Sequence, residues 1–389
     1  MQSRRPGCRL ASAVTVTLLT IAGAMTAVSP AGASAATCQA WVSSQPPSPG
    51  SSENQLNAVA VLSPCNAWAV GSDESSGGEQ TLIEHWNGAA WTVVPSPHPG
   101  TTGSFLDSVR AVSPTNIWAV GAYFGTFGDV DLIVHWDGHT WTQVASPSPG
   151  VSPRLTGVRA VSASNVWAVG TSESNTASQT IILHWNGHRW AQVKSPNPGV
   201  ENNLFGVAAT SASNAWAVGT FIKNNRDRTL ILHWNGHKWA QVKSPNAGTH
   251  GEFLGSVGAT SARNAWAVGE FANSAGRERT LVLHWNGRTW TQVASPNPGG
   301  AQSGDVLEGV VAISSSNAWA VGSYANGGDT LQNVVILHWN GRKWTSQAGP
   351  KPGIRNELFA VAASSGKSVW AVGDFTDGGV FQNLAFHCC

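Results

Sequence analysis

The chain has 389 residues, of which 41% are hydrophobic and 11% charged, and its formal net charge is +1. Soluble domains usually carry roughly 25% charged residues, and glycine, serine, threonine, asparagine and proline fill that share here. This composition is typical of short strands joined by tight turns and excludes long solvated helices. The low charge also argues against nucleic acid and anionic membranes as partners, because both need a concentrated basic surface.

Residues 1–35 have the pattern of a secretory signal peptide. Arg4, Arg5 and Arg9 make a basic start, residues 10–28 are apolar, and Ala33-Ser34-Ala35 is a small-x-small cleavage site. Such a segment is removed and does not belong to the fold. Its loss takes three arginines and no acids, so the net charge falls from +1 to −2. No later apolar run is long enough to span a bilayer, and we expect a secreted, extracellular, soluble protein.

After this segment, one sequence unit of about 50 residues recurs to the end of the chain. Each unit contains NAWAVG or a close variant, then HWNG, then a further tryptophan. The first tryptophan of the unit occurs at Trp68, Trp118, Trp167, Trp216, Trp266, Trp319 and Trp370. A repeat of this length is typical of solenoids and propellers.

Each unit divides into four apolar runs bounded by turn signals, which predicts four strands. The first run reads Leu-x-small-Val, as in Leu204–Val207, and we expect it to be innermost, where crowding admits only Ala, Ser or Gly. The second, Trp-Ala-Val-Gly, puts Trp and Val on one face and Ala on the other. The third ends in Asn-Gly, a hairpin signal, and the prolines after the fourth place it at an outer edge.

The two ends of the chain favour a closed ring over an open solenoid. The last unit stops after its third strand, at Leu384–Cys389, and Trp41 precedes Gly50 by nine residues, as Trp190 precedes Gly199. The N-terminal strand therefore completes the last unit. The predicted fold is all-β, a seven-bladed β-propeller with four antiparallel strands per blade. The blades are expected at 51–100, 101–150, 151–199, 200–248, 249–299, 300–353, and 354–389 with 36–50.

Four cysteines remain once Cys8 leaves with the signal segment: Cys38, Cys65, Cys388 and Cys389. When the repeats are aligned, Cys38, Cys388 and Cys389 fall at the hairpin turn between the third and fourth strands of the last unit. This is the turn at which the two chain ends meet. In an exported protein this predicts disulfides across the seam, which would close a loop of about 350 residues and contribute about 5 kcal/mol. We favour Cys38–Cys389 with Cys65–Cys388, or Cys38–Cys388 with Cys65–Cys389, over a vicinal Cys388–Cys389 bridge. Metal binding is not expected of this spacing.

The residues give little sign of catalysis. The histidine that recurs in every unit, from His85 to His387, is interpreted as a structural residue hydrogen bonded to backbone in its own blade, because seven symmetric copies cannot serve one site. Glycosidases need two converging carboxylates, and the loop acids have no common offset that pairs them. No nucleophile, phosphate-loop or cofactor motif is present. We expect no catalytic residue, no cofactor and no metal.

The functional surface is predicted from topology. Loops joining second to third and fourth to first strands emerge on one face and are the longest and least alike, which is typical of a ligand surface. Two residues past the strand-ending Gly, five blades carry an aromatic residue, where blades 1 and 3 have Asp73 and Ser172. Either these aromatics anchor loops beneath the rim or they stack on sugars or apolar ligand groups. The predicted ligand-binding residues are Tyr123, Phe221, Phe271, Tyr324 and Phe375.

The hairpin Asn/Asp-Gly-x-x-Trp, as in Asp137–Trp141, resembles a shortened Asp-box turn of sialidase-type propellers, and the unit with its late tryptophan resembles kelch repeats. The chain lacks the Ser/Thr-x-Asp-x-Gly box and the Gly-Gly doublet of those families. It is similar to secreted bacterial propellers of unassigned function, a resemblance that implies no catalytic residues.

These observations together lead to one expected function and two alternatives. We expect a monomeric binding or scaffold module that recognises extracellular polysaccharide through its variable loops. The first alternative is a carbohydrate-active hydrolase or lyase that uses loop acids, and the second is a module that binds a cell-surface protein.

Overall fold

The structure is a computed structural model and describes residues 40–173, 177–246, 248, 251–325, 332–366 and 368–388. The proposed signal segment, Cys38 and Cys389 lie outside these residues. The described part of the chain forms 28 β-strands and contains no α-helix. It accordingly has no helix long and apolar enough to cross a membrane.

The strands follow one another at regular intervals, three long and one short per blade. In chain order they are β1 (Val42–Ser44), β2 (Glu53–Ser63), β3 (Asn66–Ser75), β4 (Gly78–Trp86), β5 (Trp91–Val93), β6 (Ser104–Ser113), β7 (Asn116–Gly125), β8 (Gly128–Trp136), β9 (Trp141–Gln143), β10 (Val151–Ser162), β11 (Asn165–Glu173), β12 (Ser178–Trp185), β13 (Trp190–Gln192), β14 (Asn202–Ser211), β15 (Asn214–Ile222), β16 (Asp227–Trp234), β17 (Trp239–Gln241), β18 (Glu252–Ser261), β19 (Asn264–Ala272), β20 (Glu278–Trp285), β21 (Trp290–Gln292), β22 (Asp305–Ser314), β23 (Asn317–Ala325), β24 (Gln332–Trp339), β25 (Trp344–Ser346), β26 (Arg355–Ser365), β27 (Ser368–Thr376) and β28 (Gln382–Cys388).

Within the described residues these strands form seven four-stranded sheets. Blades 1 to 6 each use four consecutive strands, beginning with β2 to β5, and blade 7 consists of β26, β27 and β28 completed by β1. Strand β1 pairs antiparallel with β28, Val42 opposite His387 and Ser44 opposite Ala385. The predicted all-β, seven-bladed propeller, closed by the N-terminal strand, is confirmed.

The hydrophobic core lies between neighbouring blades. Trp68 and Val70 on the large face of blade 1 pack against Ile117 and Ala119 on the small face of blade 2. Trp68 also meets Trp141 of blade 2 edge to face, with 5.7 Å between ring centroids and 72° between planes. This large-on-small packing recurs around the ring and buries the second-strand tryptophans almost completely, as close packing of stacked sheets requires.

The small residue of Leu-x-small-Val is needed where two inner strands meet. A Cβ on Gly206 would lie 3.0 Å from both Gly255 O and Ser256 Cα of the next blade. The predicted crowding is therefore present. Its source is the backbone of the neighbouring inner strand, which explains why the position accepts only small side chains.

The turns of each blade are divided between two faces of the ring. The first-to-second and third-to-fourth turns meet on one face: Trp86 Nε1 donates to Pro64 O at 3.1 Å, and a Cβ on Gly341 would lie 3.0 Å from Ser316 Cβ. Gly341 has φ +89, a conformation that favours glycine in the Asn-Gly turn. We call this the short-turn face, and the opposite one, formed by the variable loops, the long-loop face.

Candidate functional site

The central cavity of the propeller is formed by one bulged residue from each innermost strand. In every blade the pairing register shifts just after the leucine of Leu-x-small-Val, as between Leu56 and Ala58. A bulge leaves one residue unpaired and re-aims its side chain. All seven bulged residues line a cavity of ≈ 730 Å³: Asn57, Asp107, Thr156, Phe205, Gly255, Glu308 and Phe359. The fold thus collects the least repetitive position of the inner strand at one place.

Two of the bulged residues brace the ring. Asn57 Nδ2 donates to Leu106 O at 2.9 Å, and Thr156 Oγ1 donates to Leu204 O at 2.7 Å. Both bonds join one blade to the next at the inner strand. These side chains have a structural task, which leaves Phe205, Glu308 and Phe359 among the larger bulged side chains for contact with a ligand.

An aromatic pair occupies the blade 4 and 5 side of the cavity. The rings of Phe205 and Phe253 lie 4.6 Å apart at 47°, and both line the cavity together with Phe359. All three side chains are partly exposed. Aromatic faces of this kind offer large apolar contact area to a ligand.

One ion pair stands at the blade 2 and 3 side of the cavity. Arg154 Nη2 and Nε donate to the two carboxylate oxygens of Asp107 at 2.8 and 2.9 Å, and the guanidinium lies 4.4 Å from the Phe105 ring centroid. Burial raises the pKa of Asp107, against the lowering effect of Arg154. The bidentate geometry fixes this carboxylate in place.

Carboxylates concentrate near blades 5 to 7 on the long-loop face. Burial raises the pKa of Glu270 to about 7, and the negative charges of Glu278 and Glu308 add to the rise. Burial also raises the pKa of Glu308, with a smaller contribution from Glu357. For Asp374 burial raises the pKa to about 8, with Glu357 contributing again. Glu270 and Asp374 can therefore hold or release protons near neutral pH.

A second cavity of ≈ 520 Å³ lies on the long-loop face at blade 2. Tyr123 and Phe127 line it, and Phe127 is 97% exposed at the tip of the hairpin between β7 and β8. Asp129 and Ser152 line both this cavity and the central one. The two cavities therefore adjoin at Asp129 and Ser152, and we call the pair of cavities the groove.

The five predicted aromatic residues lie in five different interblade clusters and do not form one joint site. Phe221 and Phe375 are each only 6% exposed and belong to the core, while Phe271 packs against the core between blades 4 and 5. Tyr123 lines the second cavity, and Tyr324 lines a smaller one of ≈ 250 Å³. Their predicted role in ligand binding stays a prediction, and this placement favours Tyr123 and Tyr324 for it.

The recurring histidines have a structural setting. His85 Nε2 lies 3.1 Å from Asn66 Oδ1, and its ring stacks on Trp68 at 4.3 Å. Burial lowers the pKa of His85. The partner is an asparagine side chain of the same blade, where the sequence suggested backbone. Within the described ranges, no three or more His, Cys, Asp or Glu residues are grouped so that they could hold a metal ion.

Two of the four cysteines fall within the described residues. Cys65 lies in the turn between β2 and β3, and Cys388 is fully buried at the end of β28. Cys388 pairs with Val369 of β27, where the corresponding position in blade 1 is Trp86 opposite Ala67. The predicted pairings with Cys38 and Cys389 remain predictions, because those two residues lie outside the described part.

The sequence did not single out Phe205, Phe253 or Glu308. For Phe205 and Glu308 the signal available was the x of Leu-x-small-Val, which differs between blades while its neighbours repeat, whereas Phe253 lies directly before the leucine of that motif. A position that varies inside a strict repeat is expected where the symmetric scaffold meets a ligand that is not symmetric. The bulge that aims these side chains inward becomes visible only in the strand pairing.

No protein-family model and no curated protein sequence matches the chain. Solved propellers match it in fold. The chain is similar to YCF48 bound to a D1 peptide, with 12% identity, a TM-score of 0.55 and coverage of 92% of this chain and 99% of that one. An ulvan lyase bound to a sugar ligand has 10% identity, a TM-score of 0.53 and coverage of 86% and 94%.

A third similar structure is a GH74 xyloglucanase from Xanthomonas campestris. Its identity is 11% and its TM-score 0.51, and the match covers 88% of this chain but 55% of the xyloglucanase. At such identities the similarity concerns the fold alone. These propellers differ in activity, which agrees with the rule that function resides in sites carried by a fold.

Proposed function

We propose that this chain is an exported binding module that takes up an extended glycan along the long-loop face. The observation that carries the proposal is that two cavities, of ≈ 730 and ≈ 520 Å³, adjoin at Asp129 and Ser152. Ligand pockets commonly measure about 300–1,000 Å³. A groove of two such cavities suits a chain of several sugar units better than one compact small molecule.

The groove offers the contacts that a sugar chain uses. The aromatic pair Phe205–Phe253 stands at the channel end and Phe127 at the rim end. The C–H groups on one side of a sugar ring pack on the electron-rich face of an aromatic ring. Sugar hydroxyls donate to a carboxylate such as Asp129 and accept from a hydroxyl such as that of Ser152. Aromatic surface and polar groups therefore alternate along the groove.

The propellers of similar fold give independent support. One of them binds a peptide, another is a polysaccharide lyase with its sugar ligand, and the third is a xyloglucanase. The fold is thus compatible with ligands that are extended chains. The N-terminal pattern of residues 1–35 and cysteines at the ring seam agree with a glycan outside the cell as the ligand.

A second candidate function is cleavage of the bound glycan. The observation that favours it is the pKa of Glu270, which burial and the charges of Glu278 and Glu308 raise to about 7. A carboxyl group that is still protonated near neutral pH can act as a general acid, with a second carboxylate as base or nucleophile. Glu308, which lines the central cavity, is the carboxylate to test as that partner.

The experiment uses purified residues 36–389 against a panel of neutral and uronic-acid polysaccharides, measured by affinity electrophoresis and titration calorimetry. We expect saturable binding to at least one class. The double variant Phe205→Ala/Phe253→Ala and the single variant Phe127→Ala should each weaken it at least fivefold. Ile354→Ala is the matched control, since Ile354 is an apolar side chain 46% exposed and lines neither cavity of the groove.

Each result has one meaning for the proposal. Binding that is retained without new reducing ends or unsaturated products supports the module. Product release that stops in Glu270→Gln or Glu308→Gln supports the cleavage candidate. If no glycan binds, or if both aromatic variants bind with the same affinity as Ile354→Ala, the glycan proposal is wrong. A protein ligand then becomes the leading hypothesis.

A further inference from the structure

The two faces of the ring differ in charge. The short-turn face carries exposed basic side chains on its turns, and among the described residues of these turns the one acid is Asp137. The basic residues are Arg189, Lys238, Arg263, Arg288, Arg342 and Lys343. The carboxylates around the central cavity lie toward the opposite face. The propeller therefore has an acidic and a basic opening, a polarity that the small overall net charge conceals.

Two arginines stand on inner strands close to the basic opening. Arg110 and Arg159 each follow the valine of Leu-x-small-Val, at the same position in blades 2 and 3, and each lies three residues before the end of its strand at the short-turn face. The other blades have small or apolar residues at this position: Ala60, Ala208, Gly258, Val311 and Ala362. The two arginines thus occupy equivalent positions in neighbouring blades, in a set of seven positions that is otherwise uncharged.

Neither arginine has a counter-ion in the described part of the chain. The ion pairs found there use Arg154, Arg279 and Arg355. Arg159 Nε donates to Ala209 O at 3.3 Å, while Arg110 Nε is buried without a hydrogen-bond partner among the described residues. A backbone carbonyl satisfies one N–H group but does not neutralise a charge.

The electrostatic setting of the two groups agrees with this geometry. Burial lowers the pKa of Arg110. Burial and, as a smaller cause, the charge of Arg110 together lower the pKa of Arg159 to about 9. The effect of one guanidinium on the other indicates that they lie close together. An uncompensated pair of like charges that is partly removed from water is costly.

We propose that Arg110 and Arg159 form an oxyanion site at the short-turn opening of the channel, occupied by a carboxylate, sulfate or phosphate group. Guanidinium groups present paired N–H donors that match such oxygens. The anion enters from the basic face, because the exposed arginines and lysines raise its local concentration there. Glu308 at the other end opposes entry from the long-loop face. The site is separate from the proposed glycan groove.

The test uses residues 36–389 with sodium sulfate, sodium phosphate or sodium acetate as probes, at constant ionic strength with sodium chloride. Binding of an anion to the folded state alone raises the thermal midpoint in a saturable way. We expect at least one probe to do so, and the midpoint shift to be at least halved in Arg110→Gln/Arg159→Gln. Saturation by acetate alone identifies a carboxylate site, and saturation by sulfate or phosphate a tetrahedral oxyanion site.

Two further variants keep the test decisive. Arg189→Gln removes an exposed charge of the same face and should leave the response within twofold of the wild type. Arg110→Lys/Arg159→Lys retains the charge but lacks the paired donors of the guanidinium group. It replaces the glutamine variant if that variant does not fold, and we expect it to bind the anion at least threefold more weakly than the wild type. The proposal is wrong if no probe raises the thermal midpoint of the wild type at concentrations up to about 50 mM. It is also wrong if Arg189→Gln reduces the midpoint shift as much as the double variants do.

Discussion

Glu84 and Asn383 are hydrogen bonded across the seam of the ring, with 3.1 Å between Asn383 Nδ2 and Glu84 Oε1, although they belong to opposite ends of the chain. Asn383 Nδ2 also donates to Pro47 O at 2.6 Å, which ties β28 to the segment after β1. Glu84 is 0% exposed and Asn383 1%. Glu84 lies opposite Ala69, where the third strands of all other blades have an apolar residue.

Glu84 makes stability at the seam depend on pH. Burial raises its pKa to about 8 from 4.5, with Asn383 acting in the opposite direction. The folded state holds the proton more tightly, so this carboxyl group contributes most below pH about 4.5. Its contribution to the free energy of unfolding decreases as pH rises from about 4.5 to about 8 and does not change further above that pH. At about 1.4 kcal/mol per pKa unit, the upper limit of the loss is about 5 kcal/mol.

Glu84→Leu, which copies the residue of blades 3 to 6, should remove this dependence, and Glu84→Gln should do so while keeping an amide at the seam. Urea unfolding at pH 5, 7 and 9 measures the free energy of unfolding for each variant. As pH rises, the free energy of unfolding of each Glu84 variant should increase relative to that of the wild type. Glu201→Gln, at an exposed position, is the control. A wild-type-minus-variant difference that stays constant across this range contradicts the prediction.

The architecture was predictable because each blade repeats the same signals. The signals for the strands, the hairpin turns and the large and small faces occur in each of the seven units, so one unit with an ambiguous pattern does not change the predicted fold. Glu84 was not predictable for the same reason. It is one departure from an apolar position, and only the packing of blade 1 on blade 7 shows that Asn383 lies beside it.

The candidate site was predicted less completely than the fold. The long-loop face and Tyr123 follow from topology and spacing, since loops that differ between repeats mark a ligand surface. Phe205 and Glu308 were missed because a strand read with strict alternation has no bulge. The shift between Leu307 and Gly309 reverses the side on which the intervening residue lies, and that shift depends on pairing between strands.

The seam cysteines should be oxidised, and their pairing can be mapped. Non-reducing peptide mass mapping of residues 36–389 is expected to show Cys38 joined to Cys388 or Cys389, with Cys65 joined to the other. Reduction should lower the free energy of unfolding by about 5 kcal/mol in the chain-entropy model, since the bond closes nearly the whole ring. Cys65→Ser removes one bridge and should leave the Cys38 bridge detectable. Free Cys38 after thiol labelling contradicts the pairing.

The predicted aromatic residues should separate into two groups when replaced by alanine. Phe375 is 6% exposed in the core between blades 6 and 7, so Phe375→Ala should cost about 3–5 kcal/mol and leave glycan affinity unchanged in the folded fraction. Tyr123 lines the second cavity, so Tyr123→Ala should weaken binding and cost less stability. Urea unfolding and calorimetric titration measure the two effects. The reverse result, with Phe375 needed for binding and not for stability, would show that this aromatic faces the ligand.

Binding of an acidic glycan should weaken as pH rises through 7. Phe253 lines both the central cavity and a neighbouring cavity of ≈ 290 Å³ that contains Glu270. The pKa of Glu270, raised by burial and then by Glu278 and Glu308, is about 7, so the side chain is mainly neutral at pH 6 and charged at pH 8. A charged Glu270 repels a uronic acid bound beside Phe253, whereas a neutral sugar is little affected.

Calorimetric titration at pH 6 and pH 8 with a uronic-acid polysaccharide and a neutral one measures this effect. For the wild type, the dissociation constant of the acidic ligand should rise several-fold over this range and that of the neutral ligand should change by less than twofold. Glu270→Gln keeps the shape of the side chain without the charge, so its acidic-ligand affinity should no longer change with pH. An unaltered pH dependence in Glu270→Gln would assign the effect to another carboxylate of the acidic opening, with Glu308 the first to replace.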